Sequence, residues 1–408
     1  MFLVFILEFN YKNLKISALG AASFVIAVVV ITNLIGKDFI AYRYGSTEPP
    51  YGNIISWFSG RIYASNWRMY TSRGLFESGN SLAAFLSMTL PVTVYVAIKE
   101  KKNWLFIFAA LQMITMLMCG TRISVYGAIL LTGIVICIWI FDLIFNKKKV
   151  DTKKIISLVC LVAVFGTFFY FSPFASRMKS GEGFSSNHTQ IRPGDEGLDS
   201  EIDEFDEMAS FDDIEGGFTD RVDISKFDYP AKLKYIAGNY HYHYIPSVFV
   251  HEIYDYKDHA DFWFNFMTNV DFSERNNSRK IKTLILKDML SNKGNSLDMW
   301  VGIGETRVYP EADFTFMYYS YGIIGLIIFL APFILILILS ILSVIIRLFK
   351  HKFDALNCVL ILSLGFTLIT AFYAGHTLIF YFINILAGLI SGMLLGMLKT
   401  KEAATEQL

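Results

Sequence analysis

The sequence predicts an all-α polytopic membrane protein of about eight transmembrane helices, with a large extracytoplasmic loop domain between the fifth and sixth. Three observations carry this prediction. Hydrophobic residues make up 54% of the 408, and the mean hydropathy of +0.45 is far from that of a soluble domain. Apolar segments close to the roughly 20 residues needed to cross a ~30 Å hydrocarbon layer recur along the chain. Lysine and arginine clusters fall in alternate connectors, as the positive-inside tendency requires.

Seven apolar segments lie near residues 16–36, 81–98, 104–120, 124–145, 155–174, 316–346 and 356–397. The last is long enough for two helices broken at Gly375-His376, which makes eight. The opening "MFLVFILEF" is too short to span and lacks the small-residue cleavage site of a signal peptide. It reads as an interfacial segment or the remnant of a helix that starts upstream. "YKNLK" before the first helix, "KEKK" at 99–102, "NKKKVDTKK" at 146–154, "RLFKHK" at 347–352 and "KTK" at 399–401 are expected on the cytoplasmic side, with both chain ends. Residues 37–80, the tight turn around Arg122, the segment 175–313 and the Gly375-His376 turn then face out.

The expected division is 1–174, 175–313 and 314–408: membrane helices, outer loop, membrane helices. Residues 175–217 are acidic, rich in Gly and Ser and poor in aromatics, a solvated composition. From about Phe218 the loop carries Tyr, Trp and Phe in quantity and is expected to fold as a cap. Within it, "SRKIKTLILKDML" sets Ile281, Leu284, Ile285 and Met289 opposite Lys280, Lys282 and Lys287, the pattern of an interfacial helix.

Formal net charge is zero, with 36 basic and 36 acidic residues, so only the distribution of charge is informative. No P-loop, no dinucleotide-binding glycine motif and no basic nucleic-acid face is visible. The four cysteines all lie in apolar segments without a C-x-x-C pair, which predicts neither disulfides nor zinc.

Two constellations could carry chemistry. Arg61, Arg68 and Arg73 in the first outer loop and Arg122 in "MCGTRISVYG" put guanidinium groups on the side where such charges are scarce. A guanidinium at the interface donates in a fork to phosphate or pyrophosphate. The plainer reading is that these side chains, with Arg43, snorkel to lipid phosphates or pair with Glu48 and Glu77. The second constellation is "WVGIGETRVYPEADFTFMYYSYGIIGL", residues 300–326, where Gly302 and Gly304 permit close backbone approach. Glu311 and Asp313 follow just before a membrane helix; a partly desolvated carboxylate there suits general-base work. Asp313 as helix N-cap, with Glu311 favoured by the dipole, is the competing reading. His241, His243, His251 and His259 cluster in the cap, but "HEIYD" does not match a zinc-protease motif.

"SRGLFESGNSLAAFLSMTLP" is similar to the R-G-x-F-x-x-x-N-x-x-A stretch of the O-antigen ligase and polysaccharide polymerase superfamily. "CGTRISVYGAILL" resembles its short outer turn with an S/T-R step, and "GIGETRVYPEADFTFMYYSYGIIGLIIF" its late glycine-bearing helix entry. The resemblance implies a GT-C-like, membrane-embedded glycosyltransferase of the bacterial cytoplasmic membrane. Its donor would be a glycan on undecaprenyl pyrophosphate in the outer leaflet. Its acceptor would be a sugar hydroxyl on another lipid-linked glycan or a lipid core, with other polysaccharide-export components as possible partners. On that reading Arg73 and Arg122, with Arg68, Arg279 and Arg307, hold the pyrophosphate, Asp313 or Glu311 assists deprotonation, and neither metal nor cofactor is called for. Ligases of the superfamily usually carry a histidine before the late helix, where this chain has Glu311 and Asp313, which favours a polymerase. Members usually have more helices than eight. A flippase for lipid-linked oligosaccharide and a non-catalytic scaffold are the alternatives from other classes; a flippase should line a midplane cavity with its charges and show halves that echo one another.

Overall fold

The computed structural model describes residues 11–35, 52–59, 62, 70–76, 78–100, 102–179, 223–240, 245, 247–270, 278–293, 295, 297–304, 306–310 and 312–402. Regular structure among them is helical. The chain forms two compact units, Met1–Asn187 with Phe329–Leu408, and His188–Ile328.

In the first unit α1 (Tyr11–Ile35), α2 (Gly79–Lys99), α3 (Trp104–Cys119), α4 (Arg122–Phe145) and α5 (Thr152–Phe171) precede the short α6 (Pro173–Lys179). The chain returns to this unit in α11 (Asp313–Phe349), followed by α12 (Ala355–Tyr373) and α13 (Tyr381–Glu402). Seven of the described helices are long and apolar enough to cross a bilayer, so this is a multi-pass membrane protein. The eight expected segments are all helical, but α3 has only 16 residues. At ~1.5 Å per residue that is about 24 Å, short of the roughly 30 Å hydrocarbon layer.

The bundle is built around α2. Its apolar window is 94% buried, against 22% for α4 and 17% for α5, so α2 is the inner helix and the others turn faces outward. It packs on α1, α3, α4, α12 and α13. Small residues explain how: Ser81, Ala83, Ala84 and Ser87 leave room for neighbouring backbones, the usual basis of close packing in lipid. At the α2–α4–α12 crossing, a Cβ added to Gly127 would lie 2.9 Å from Ser87 Oγ and 3.2 Å from Phe366. Pro91, inside α2, removes the N–H that would pair with the Ser87 carbonyl. Nearby, Gln112 Nε2 of α3 donates to Leu86 O at 3.0 Å and to Thr89 Oγ1 at 2.7 Å, supplying hydrogen bonds that the membrane interior does not.

One end of this unit gathers the lysine-rich connectors. Lys15 pairs with Glu100 at 3.0 Å, and the Lys99 ammonium stands 3.8 Å from the Tyr11 ring centroid. Lys148 pairs with Asp142 at 2.8 Å, Asn146 Nδ2 donates to Phe353 O at 3.2 Å, and Arg347 pairs with Asp354 at 2.9 Å. Connectors that are far apart in sequence thus meet at one end, which is what a chain threading back and forth produces.

The second unit holds α7 (Tyr229–Asn239), α8 (Ala260–Asn269), α9 (Ser278–Asp288) and α10 (Asp298–Val301). Its core is aromatic: Trp263, Phe264 and Phe266 with Ile236, Val250 and Tyr254. The expected interfacial helix is corrected here. In α9, Ile281, Ile285 and Leu286 are at most 1% exposed and belong to this core, with Leu284 and Met289 packed against it. Its apolar face meets protein, a pairing that an amphipathic pattern alone does not distinguish from a lipid surface.

At 37 residues, α11 is too long for a single straight span, and Gly322 breaks it with φ 67° and ψ −171°. That positive φ suits glycine, and a Cβ there would run into the Trp300 carbonyl. Reciprocally, Gly302 lies against the Ser320 backbone, while Ile303 N–H donates to Tyr319 O at 2.8 Å and Gly304 N–H to Ser320 O at 3.2 Å. The glycines of residues 300–326 therefore join the 302–304 segment to the head of α11.

Three substitutions test this packing by thermal unfolding of the detergent-solubilised protein. Gly127→Leu should destabilise the bundle by about 1–3 kcal/mol, the usual cost of overpacking. Gly322→Ala should lower the melting temperature more than Gly325→Ala, whose Cβ would meet only the Tyr321 side chain. Unchanged melting in Gly127→Leu, or equal effects in the glycine pair, would contradict these contacts.

Candidate active site

At the end of the first unit away from the lysines, three connectors that are remote in sequence are hydrogen-bonded into one structure. The first follows α1. Asn33 Oδ1 accepts from Ile54 N–H at 2.8 Å, and the buried Trp57 donates through Nε1 to Tyr70 O at 3.2 Å. Phe58 packs against Phe171 at the end of α5, with ring centroids 4.9 Å apart and the planes tilted by 46°. Thr32 and Ser72 hydroxyls lie 3.3 Å apart, and Gly74, at φ 61°, lets the backbone lie against Val28 and Val29 of α1. Arg73, half-buried, sits between these anchors and opens a turn in which Phe76 N–H donates to its carbonyl at 3.1 Å.

The second connector is the α3–α4 turn. Gly120, at φ 69°, closes α3 in the left-handed conformation that ends many helices. Thr121 caps α4, its Oγ1 accepting from Ser124 N–H at 3.2 Å, so Arg122 is the first helical residue and its side chain is exposed. Ser72 N–H donates to Met118 O at 2.9 Å. The loop bearing Arg73 is thus fastened to the helix end that leads into Arg122.

The third is the α12–α13 turn. Gly375 and His376 both have positive φ, 67° and 53°. Asn80 Nδ2 donates to Ala374 O at 3.1 Å, and Ser81 Oγ to His376 O at 2.7 Å. These donors come from the first turn of α2, capped by Ser78. The same turn receives Cys119, whose thiol donates to Gly79 O at 3.0 Å, and a Cβ on Gly79 would sit 2.8 Å from Thr121 Cγ2. The start of α2 is therefore the hub of all three connectors.

At this end α1, α3, α5 and α12 finish while α2, α4 and α13 begin, so helix-dipole charges largely offset one another. Arg73 and Arg122 bring two guanidinium groups to this end, and a guanidinium can donate in a fork to an anion.

The remaining sequence-predicted residues are placed as follows. Arg279 and Arg307, both exposed, belong to the second unit. So does Asp313, which has no solvent exposure. It stands at the first helical position of α11, and Phe316 N–H donates to Ala312 O at 2.9 Å, so the cap position is one residue earlier than expected. A carboxylate in that first turn is still favoured by the helix dipole. Arg68, Glu311, Arg43, Arg61, Glu48, Glu77, His241 and His243 lie outside the described residues; of the acidic stretch 175–217, residues 175–179 belong to the helix α6 and the rest lies outside them. Among the described residues, no group of three His, Cys, Asp or Glu side chains is arranged to hold a metal. Sequence reasoning missed the Gly375-His376 turn as a partner of the start of α2. Its available signal was the small polar run Ser78-Gly79-Asn80-Ser81, which is more polar than a lipid-facing helix start needs to be.

No curated protein and no solved structure matches the chain. The family model described as O-antigen ligase like membrane protein matches residues 1–401, nearly the whole chain, and the protein belongs to that family.

Proposed function

We propose that this protein is a membrane glycosyltransferase that moves a glycan from a lipid-linked diphosphate, of the undecaprenyl pyrophosphate type, onto a sugar hydroxyl at the outer leaflet of the bacterial cytoplasmic membrane. The product is a capsular, teichuronic-type or O-antigen-like polysaccharide, and the action is polymerisation. The observation that carries the reading is the fastening of the Arg73 loop to the α3–α4 turn that presents Arg122, at the end remote from the lysine connectors. Under the positive-inside tendency the lysine end is cytoplasmic, with both chain termini, so the arginines face the leaflet where a translocated donor would be. Family membership supports glycan transfer as the chemical class.

In this mechanism the acceptor oxygen attacks the anomeric carbon as the bond from that carbon to the diphosphate oxygen breaks. The electron pair leaves with the diphosphate, and the growing negative charge is met by the guanidinium groups of Arg73 and Arg122. Their fork geometry suits two phosphate oxygens at once. The acceptor proton passes to a carboxylate, for which Asp313 and Glu311 are the candidates, with Arg68, Arg279 and Arg307 as further donor contacts. The reading requires the head of α11 to meet the donor during turnover.

Reconstituted protein supplied with lipid-linked repeat units tests the proposal. Arg122→Ala should lower turnover by about 100-fold or more, as removal of a charge-stabilising donor does, and Arg122→Lys should recover little because an ammonium does not fork. Donor already on the outer side should still be present; full turnover in Arg122→Ala ends the reading, and failure of delivery itself would make the protein a flippase. Gly79→Val changes no charge but pushes on Thr121 beside Arg122, so turnover should fall by about tenfold to 100-fold, the penalty of misplacement. Turnover equal to wild type there would mean that the position of the turn does not matter.

A further inference from the structure

The second unit contains a cleft that the arginine chemistry does not use. It is an open groove of about 440 Å³, lined by Tyr254, His259, Asp298, Gly302, Ile303 and Thr306 among others. Small-ligand pockets occupy roughly 300–1,000 Å³. The walls are held by specific contacts. Tyr254 is fixed on three sides: its hydroxyl donates to Asp288 Oδ2 at 2.5 Å, its carbonyl accepts from Trp263 Nε1 at 2.6 Å, and His259 stacks on its ring at 3.5 Å between centroids, 1° from parallel. Burial first, and then the Asp288 hydrogen bond and charge, raise the Tyr254 hydroxyl above its ordinary pKa, so it remains a donor. The opposite wall is the Gly302-Ile303 segment, fastened to Tyr319 and Ser320. Asp298 is half-exposed, and its Oδ2 accepts from Asn295 N–H at 2.7 Å.

The lining selects a ligand class. Among the described residues that form it there is no Lys or Arg, while Asp298 is a carboxylate and Asp288 stands behind Tyr254. An anion is therefore disfavoured by like charge. The half-exposed His259 ring, backed by the buried Tyr254, the Asp298 carboxylate and the Thr306 hydroxyl together suit a molecule with an apolar ring face and several hydroxyl donors. We propose that this cleft binds a neutral saccharide, one or more pyranose units of the acceptor glycan. The assignment rests on the glycan-transfer reading and adds to it a division of labour: diphosphate recognition by the arginine end of the bundle, uncharged sugar recognition by the second unit.

The test uses the full chain in detergent and, as probe, neutral oligosaccharides of two to four sugars released from the producing cell's envelope polysaccharide, with inorganic pyrophosphate as competitor. Saturation-transfer NMR should show sugar-ring protons in contact with wild-type protein, undisturbed by pyrophosphate. Asp298→Asn, which keeps an oxygen for Asn295, and His259→Ala should each weaken binding about fivefold or more, the usual effect of losing a hydrogen bond to a charged group or a ring contact. If His259→Ala unfolds, Asp298→Asn decides the question alone. Absence of saturation, displacement by pyrophosphate, or wild-type affinity in Asp298→Asn overturns the assignment. In the turnover assay Asp298→Asn should raise KM for acceptor with kcat little changed. Normal acceptor KM there, beside a lost kcat in Arg122→Ala, removes the saccharide cleft and leaves glycan transfer standing. Lost saccharide binding beside full turnover in Arg122→Ala removes the arginine mechanism instead.

Discussion

The first turn of α2 is the constraint on which the rest depends. A helix that is inner along its whole length must enter and leave the bilayer among other helices, where water is scarce and each backbone group needs a partner. Connectors at its ends therefore bond to it and to one another. Ser78 caps the helix, Asn80 and Ser81 serve the α12–α13 turn, and Gly79 admits Cys119 and Thr121 of the α3–α4 turn. The Arg73 loop closes the set through Ser72 and Met118. Two guanidinium groups some fifty positions apart in sequence are brought to one end of the bundle because that end has to be tied together.

The positions of the membrane helices were legible because a bilayer imposes a length and forbids charge, and both show in a single sequence. The break at Gly375-His376 was legible for the same reason: one apolar segment was too long for a single helix, and its interruption appears as two left-handed residues. The extent of α3 was legible as well: "KEKKN" and "CGTR" mark its ends, and the expected 104–120 stands against Trp104–Cys119. The α9 pattern failed. Alternation of apolar and basic residues says that one face is dry without saying whether lipid or protein dries it, and here Trp263 and Phe266 belong to the covering core. At the head of α11 the helix start was read one residue late, an error within the usual uncertainty of helix ends.

The site residues show the same division. Arg122 stood out because its turn is only a few residues long, and Arg73 because it precedes a small polar run. The contacts that tie this end together carry no local signal: Trp57 and Met118 are ordinary residues, and the Gly375-His376 break, legible as a break, does not by itself show its bonds to Asn80 and Ser81. The cleft of the second unit was equally hidden. His259 was weighed only as a metal ligand, whereas its role is set by a ring stack with Tyr254. Charge divides the two places chemically, with guanidinium groups at one and carboxylates at the other.

The central claim is that Arg73 and Arg122 act on a single diphosphate. A double-mutant cycle on donor binding measures this most directly: a short-chain polyprenyl diphosphate sugar titrated against wild type, Arg73→Ala, Arg122→Ala and the double variant. Groups sharing one ligand should be coupled, by about 0.5–3 kcal/mol, so the double variant should lose less affinity than the two single losses combined. Additive losses, or a donor affinity indifferent to either arginine, would contradict a shared cradle.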